Sequence, residues 1–274
     1  MNLRIKLTLF VLLVLIAKIS IGQNYSGRII NKDNDQLIKF VNIGVLHENI
    51  GTVSDINGNY NLELDQQFDN DSLMFSCIGY ERYSIRVLDF KKLKSKNIYL
   101  KETMYELNEV IVKPKFFKRK TLGVKTTSKF AQGGFGENKL GYELGILMKN
   151  KKTAFLENLN INIANCTFDS IFYRVNVYIV KDKLKFENIL KTPIYIELSK
   201  NEVKNKVVID LKPYGITVQG DFLVTLEHVK DLGEGSLNFC SKLPGKTIYR
   251  KSSQGLWEKA PIGISISINA KVEK

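Results

Sequence analysis

Asp55, Asn57 and Asn59 stand at alternate positions in GTVSDINGNYNLELD (51–65), with Gly58 among them. Oxygen-bearing side chains at that spacing open a calcium loop, whose chemistry also needs glycine at the sixth position and a bidentate glutamate at the twelfth. Counted from Asp55, the glycine comes fourth and the twelfth residue is Gln66, so the second carboxylate is missing. The same letters suit a tight turn. Asn57-Gly58 tolerates positive φ at both centres of a type I′ hairpin, with Thr52-Val53 before it and Tyr60, Leu62 and Leu64 alternating after it. A hairpin is the expectation here.

Other residue types that do chemistry are sparse. The two histidines, His47 and His228, lie far apart, and no H-E-x-x-H or paired-cysteine spacing accompanies them, so a catalytic zinc site is not expected. His228 ends a run with Phe222, Val224 and Leu226 alternating, the setting of a core or rim histidine. GISISIN (263–269) lacks the second glycine of a nucleophile elbow and reads as a strand. Gly133, Gly134 and Gly136 precede no helix and no G-K-[ST], so they cradle no phosphate. Cys77, Cys166 and Cys240 are too few for a disulfide scaffold. Cys166 and Cys240 can pair in an oxidising compartment, the alternative being buried free thiols.

Binding has more candidates. Trp257, the one tryptophan, follows Gly255 between Lys251 and Lys259 and is either an exposed stacking platform or a plug at a sandwich end. Phe116 and Phe117, inside a basic cluster with Lys118 and Arg119, either touch a membrane or partner or pack between domains.

These residues need elements to hold them. The chain of 274 residues, 44% hydrophobic and 25% charged, has a foldable composition and room for two domains. Arg4 and Lys6 precede an apolar run, Leu7 to Ala17, which Lys18 interrupts before it is long enough to span a bilayer. With small residues at Ser20 and Gly22, it reads as a secretory signal cleaved between Gly22 and Gln23. The formal charge of +13, less the three cations Arg4, Lys6 and Lys18, becomes +10 in the mature chain, a surplus spread along the sequence as a solvated basic surface.

From Tyr25 to Leu100 the pattern is of short alternating runs: Tyr25–Ile30, Phe40–Leu46, Gly51–Val53, Tyr60–Leu64, Ser72–Cys77, Arg82–Val87 and Asn97–Leu100. No stretch keeps a helical period over three turns. Such spacing means a small β-sandwich, with Val41, Ile43, Val45, Tyr60, Leu62, Leu64, Leu73 and Phe75 on its inner face. QLIKFVNIGV (36–45), GTVSDINGNYNLEL (51–64), DSLMFSCIGYERYSIRV (71–87) and IYLKETMYELNEVIV (98–112) together resemble the carboxypeptidase-regulatory-like domain of Bacteroidetes proteins. The resemblance covers about a third of the chain and departs from the family pattern at Ile38, where proline is usual, and at Cys77, where a bulky residue is common. It implies a seven-stranded, prealbumin-like β-sandwich without a catalytic group. In relatives the domain heads TonB-dependent transporters or is appended to peptidases and surface proteins, and the L-x-E-V-V-V segment, here Leu107 to Val112, lies near the TonB contact.

Residues 102–125 read as a linker, because Pro114 and the basic cluster discourage strand pairing. Beyond it, 158–163, 170–180, 193–198, 205–211, 221–229 and 262–272 are strand-length runs, and the five glycines of 131–145 mark hairpin turns around a strand. The expected fold is therefore all-β: the N-terminal sandwich (23–101), then a second, larger, jelly-roll-like sandwich (126–274). The expected function is that of an exported, non-catalytic binding or structural protein of a bacterial envelope, in the periplasm, at the outer membrane or secreted. It would have no cofactor, an envelope protein or glycan as partner, peripheral contact with the membrane, and no nucleic acid. Two alternatives stand beside it: an accessory to TonB-dependent uptake acting through 107–120, and a hydrolase built in the second sandwich.

Overall fold

The computed structural model describes residues 22–103 and 116–274. Residues 1–21 of the expected signal segment and the expected strand Leu107 to Val112 lie outside the described residues. Seven strands come first: β1 (Gln23–Asn31), β2 (Asn42–Val45), β3 (Gly51–Val53), β4 (Asn59–Leu64), β5 (Ser72–Ser76), β6 (Tyr83–Arg86) and β7 (Ile98–Leu100). They form a three-stranded sheet, β4-β1-β7, and a four-stranded sheet, β3-β2-β5-β6. Two-residue alternation turns Tyr60, Leu62 and Leu64 of β4 inward against Ile43, Val45, Leu73 and Phe75. A helix the alternation did not announce, α1 (Val87–Lys92), follows β6, with Asp89 in its first turn and Lys91 and Lys92 in its last. It drops Val87 and Phe90, three apart on one face, into this core.

The 55–59 turn corrects the hairpin expectation. β3 pairs with β2 and β4 with β1, so the turn carries the chain from one sheet to the other. Only Gly58 takes positive φ (70°), whereas a type I′ turn needs it at both centres. The Asp55 carboxylate folds back on the turn, accepting from the backbone N–H of Asn57 and of Asn59 at 2.8 Å each. No metal-holding cluster of His, Cys, Asp and Glu occurs among the described residues.

The strands that follow are β8 (Phe117–Gly123), β9 (Ala131–Phe135), β10 (Glu143–Met148), β11 (Thr153–Cys166), β12 (Ser170–Asp182), β13 (Lys185–Asn188), β14 (Ile194–Ser199) and β15 (Lys206–Asp210). After these come β16 (Thr217–Gln219), β17 (Phe222–His228), β18 (Leu237–Lys242), β19 (Thr247–Arg250), β20 (Glu258–Ala260), β21 (Gly263–Ile264) and β22 (Ile266–Glu273). A seven-stranded sheet runs β13-β12-β17-β10-β19-β20, with β14 also beside β12. An eight-stranded sheet runs β21-β18-β11-β22-β8, with β15 and β16 on β11 and β9 on β18. Between them lies one core, to which Tyr173, Val175, Val177, Val224 and Leu226 come from the first sheet and Leu159, Ile161, Ile266 and Ile268 from the second.

Two further expectations change here, and the alternatives left for the cysteines are decided. Phe117–Gly123, read as linker, is β8, an edge strand in register with β22 from Phe117↔Glu273 to Gly123↔Ser267. Lysines are tolerated there because an edge strand leaves one side to solvent. The glycine-rich 131–145 stretch makes no local hairpin: β9 joins the eight-stranded sheet and β10 the seven-stranded one. All three cysteines are free. Cys166 lies opposite Leu237, and Cys240 is three residues further along β18, on the other face, so the two thiols cannot meet.

The N-terminal sandwich lies on the outer face of the seven-stranded sheet. Phe40, Val53, Phe172 and Val229 form an apolar cluster across the junction, and Phe40 packs on Phe172 at 5.1 Å and Tyr195 at 5.4 Å between ring centroids. Phe40 has a φ of 56°, rare for a bulky residue and held here by packing from both sides. Gly44 and Gly51 are cross-strand partners, and a Cβ on either would meet the Ser253 carbonyl oxygen at 2.1 and 2.7 Å. Their bare backbone is the notch that receives the 252–255 turn. There His47 N–H donates to Gln254 O at 2.9 Å and Gln254 Nε2 to Ser76 Oγ at 2.8 Å.

Candidate functional site

Strand register builds a charged row across four strands. Arg174 of β12 faces Glu227 of β17, Glu227 faces Glu143 of β10, and Glu143 faces Arg250 of β19. All four point outward from the second sandwich yet are buried: Arg174 meets Phe40 and Asn42 of the N-terminal sandwich, and Trp257 lies over Arg250. Arg174 donates to Glu227 Oε2 through Nε (3.1 Å) and Nη2 (2.8 Å), to Phe40 O through Nη1 (2.7 Å) and to Asn42 Oδ1 (2.5 Å). One guanidinium thus ties the row to the N-terminal sandwich. Arg250 donates to Glu143 Oε2 at 2.8 Å through Nε and reaches Glu227 Oε1 at 3.5 Å.

Neutral donors complete the row. Glu143 Oε1 accepts from Asn176 Nδ2 and the Tyr178 hydroxyl, both at 2.9 Å, and from Thr225; Asn176 also donates to Glu227 at 2.8 Å. Burial opposes charge on both arginines, but the carboxylates beside them outweigh it and both stay protonated. Burial likewise pushes the Glu227 carboxyl up, and Arg174 and Arg250 bring it below its ordinary value. For Glu143, burial and the neighbouring Glu227 win over Arg250, so its carboxyl is raised. Tyr178 is held well above its usual range by burial and by Glu143, which keeps it a donor. Every carboxylate oxygen is occupied by donors, so the row orients and holds; it offers no free base.

Beside the row a cleft of about 750 Å³ opens between the sandwiches. Its floor is Arg174, Asn176, Tyr178 and Arg250; Asn42, Met74, Ser76 and Ile78 face it from the N-terminal side, and Phe186, Leu184 and Trp257 wall it from the other. The volume is that of a small-molecule site, commonly 300–1,000 Å³. Trp257 is half-buried, packed edge-to-face on Tyr178 (5.6 Å) and Phe186 (5.4 Å), with the Arg250 guanidinium 5.0 Å over its ring. It is neither a free platform nor an end plug, but one wall of the cleft.

The other residues singled out in the sequence lie away from it. Phe116 is 81% exposed, Phe117 packs edge-to-face on Phe155 at 5.1 Å within the second sandwich, and Lys118 and Arg119 are exposed on β8. The Phe116-Phe117 pair therefore does not pack between domains. Gln23 begins β1, at the far side of the N-terminal sandwich from the junction strands β2 and β3. His228 is buried, its Nε2 paired with Asn138 Oδ1 at 2.8 Å, and its pKa is lowered to about 4 by burial.

Two β-sandwiches clasped through a buried ionic row define an all-β protein with a cleft at its junction. Residues 25–112 match the CarboxypepD_reg-like domain, and the N-terminal third of the chain is a domain of that family. No curated protein matches the chain. Among solved structures, the infectious bursal disease virus VP2 subviral particle is similar at 10% identity and a TM-score of 0.19, over 92% of this chain. The chain spans 65% of that protein's length, and a likeness this slight bears on neither fold nor function.

Proposed function

We propose that this is an exported, non-catalytic binding protein of a bacterial cell envelope, and that its ligand seat is the cleft between the two sandwiches. The observation that carries this reading is the cleft itself, with two buried arginines and Tyr178 in its floor and Trp257 and Phe186 in its wall. A concave, mostly apolar site with a few fixed polar groups is the usual form of a small-ligand site. A holding role fits the saturated Glu143 and Glu227 better than a reacting one, because their oxygens already accept from arginine, amide and hydroxyl donors. Export is supported by the leader-like run Leu7 to Ala17. No described helix is long and apolar enough to cross a membrane.

Calorimetric titration of the mature protein against a broad panel of neutral and acidic glycans, peptides and small metabolites tests the reading. Binding that weakens at least tenfold in Phe186→Ala supports it. Turnover of any panel member, or binding untouched by cleft substitutions, contradicts it.

A second reading, an accessory to outer-membrane uptake, is favoured by β8, a sheet edge carrying Lys118, Arg119 and Lys120 beside the exposed Phe116. Co-purification with a transporter or its energy-coupling protein, lost in Phe116→Ala/Arg119→Glu, would support it.

A further inference from the structure

The polar lining of the cleft leans toward donors: the carboxylates and most of the amide oxygens in it are occupied, while several of its donors are not. The Asn176 carbonyl oxygen accepts from Asn188 Nδ2 at 2.9 Å, and Asn188 Oδ1 from Leu190 N–H at 2.9 Å. Ser76 Oγ accepts from Gln254, and Glu258 is engaged by the Tyr249 hydroxyl at 3.0 Å and Lys251 at 3.3 Å.

The donors differ. A guanidinium has no acceptor, so the atom of Asn42 that meets Arg174 must be its carbonyl oxygen, which fixes the Asn42 NH₂ as the remaining donor. That NH₂ has no hydrogen-bond partner among the described residues, although Asn42 is only 8% exposed and lines the cleft. Arg250 is also 8% exposed; its Nε and Nη2 serve Glu143 and Glu227, while its Nη1 has no acceptor among the described residues. Neither atom is sealed off as a buried unsatisfied group, and both residues line the cleft. Three rim cations, Arg82, Lys183 and Lys185, line the same cleft and make no ion pair among the described residues. The wall opposite Met74 and Ile78 is aromatic.

We infer that the cleft receives a carboxylate borne on a ring-shaped body: Arg250 Nη1 takes the carboxylate, the Asn42 amide a further oxygen, and the Trp257–Phe186 wall the ring. Donors buried in low dielectric select an acceptor-rich, anionic partner and leave a neutral donor unsatisfied. Two sources share this chemistry, an acidic sugar and an aromatic acid. The assignment rests on the cleft being the ligand seat and adds to it the charge and shape of the ligand.

The test uses calorimetry on the mature chain with trigalacturonate and phenylacetate, each beside its uncharged counterpart, the methyl ester and the amide. One acid is expected to bind at least tenfold more tightly than its counterpart, and which one does so identifies the source. Asn42→Asp keeps the oxygen that meets Arg174 and replaces the free donor with a negative oxygen; it should weaken the acid at least tenfold and the counterpart by a much smaller factor. Should Asn42→Asp not fold, Lys183→Gln/Lys185→Gln, both exposed, gives the second reading through a several-fold loss confined to the acid. Uncharged counterparts that bind as well as the acids overturn the inference, as do variants that leave acid affinity unchanged. If neither acid binds while neutral members of the broad panel do, this inference falls and the cleft remains the seat; if no panel member binds, both fall.

Discussion

Arg174→Met is the sharpest test of how the two sandwiches are joined. Arg174 is 2% exposed, and removing its guanidinium strips Glu227 of two bonds at 2.8 and 3.1 Å, leaving Asn176 and a 3.5 Å contact to Arg250. Breaking a buried ion pair by removing one partner costs about 3–5 kcal/mol, because a charge stays behind uncompensated. Phe40 O and Asn42 Oδ1 lose a charged donor as well, each such bond being worth about 1.5–3 kcal/mol before solvent re-enters. With partial relaxation the total is about 4–6 kcal/mol, a large share of a typical stability of about 5–15 kcal/mol. In Arg174→Met/Glu227→Leu no orphaned charge remains, so the double variant should be more stable than the sum of the single changes by about 2–3 kcal/mol. Equilibrium urea unfolding of the four proteins at neutral pH measures this cycle. A single Arg174→Met within about 1 kcal/mol of the parent, or strict additivity, would refute the argument that this pair carries the junction.

Other expectations follow from particular residues. His228 titrates near 4 in the folded chain against about 6.5 unfolded, so the unfolded state binds the extra proton between those values. Stability should therefore be full above pH 6.5 and decline by up to about 3 kcal/mol as pH falls to 4; His228→Gln should flatten that slope in pH-dependent urea melts. Gly44→Ala places a Cβ 2.1 Å from the Ser253 carbonyl oxygen, and limited proteolysis should then cut within 252–256, where the parent resists. Phe40→Ala should cost about 3–5 kcal/mol for the lost ring, and Phe40→Gly no more than that. The usual penalty of glycine over alanine is cancelled by the positive φ at this site, which thermal melts of the pair would show.

Much of the strand pattern was legible because its cause is local. Alternation at Tyr60, Leu62 and Leu64 or at Phe222, Val224 and Leu226 follows from a two-residue period with one face in the core. Turn letters were legible as turns but not as destinations. Asp55 to Asn59 closes the same way whether the next strand pairs with the last or crosses to the other sheet, and only long-range pairing decides. Basic residues at 118–120 suggested a linker because propensity ignores edges.

The site was the least legible part. Its signal was present as single charges inside otherwise apolar strands: Arg174 in SIFYRVNVYIV, Glu227 in FLVTLEH and Glu143 in GYELGIL. A charge at such a position, on a strand apolar on both sides of it, asks for a buried partner. Which partners meet is set by register across four strands, and β19, which brings Arg250, gave no alternation long enough to find. Trp257 was singled out for its type, yet its place in the cleft wall depends on Phe186, Tyr178 and Arg250, none adjacent in sequence.

The chain holds a single tryptophan, and it stands in the wall of the cleft. Its emission therefore reports occupancy of that place and no other. Titrating the mature protein with a ligand found by calorimetry should shift or quench Trp257 emission along the same isotherm, with the response weakened at least tenfold in Phe186→Ala. A ligand that binds by calorimetry while Trp257 emission stays constant to saturation would contradict the claim that the junction of the two sandwiches is the binding site.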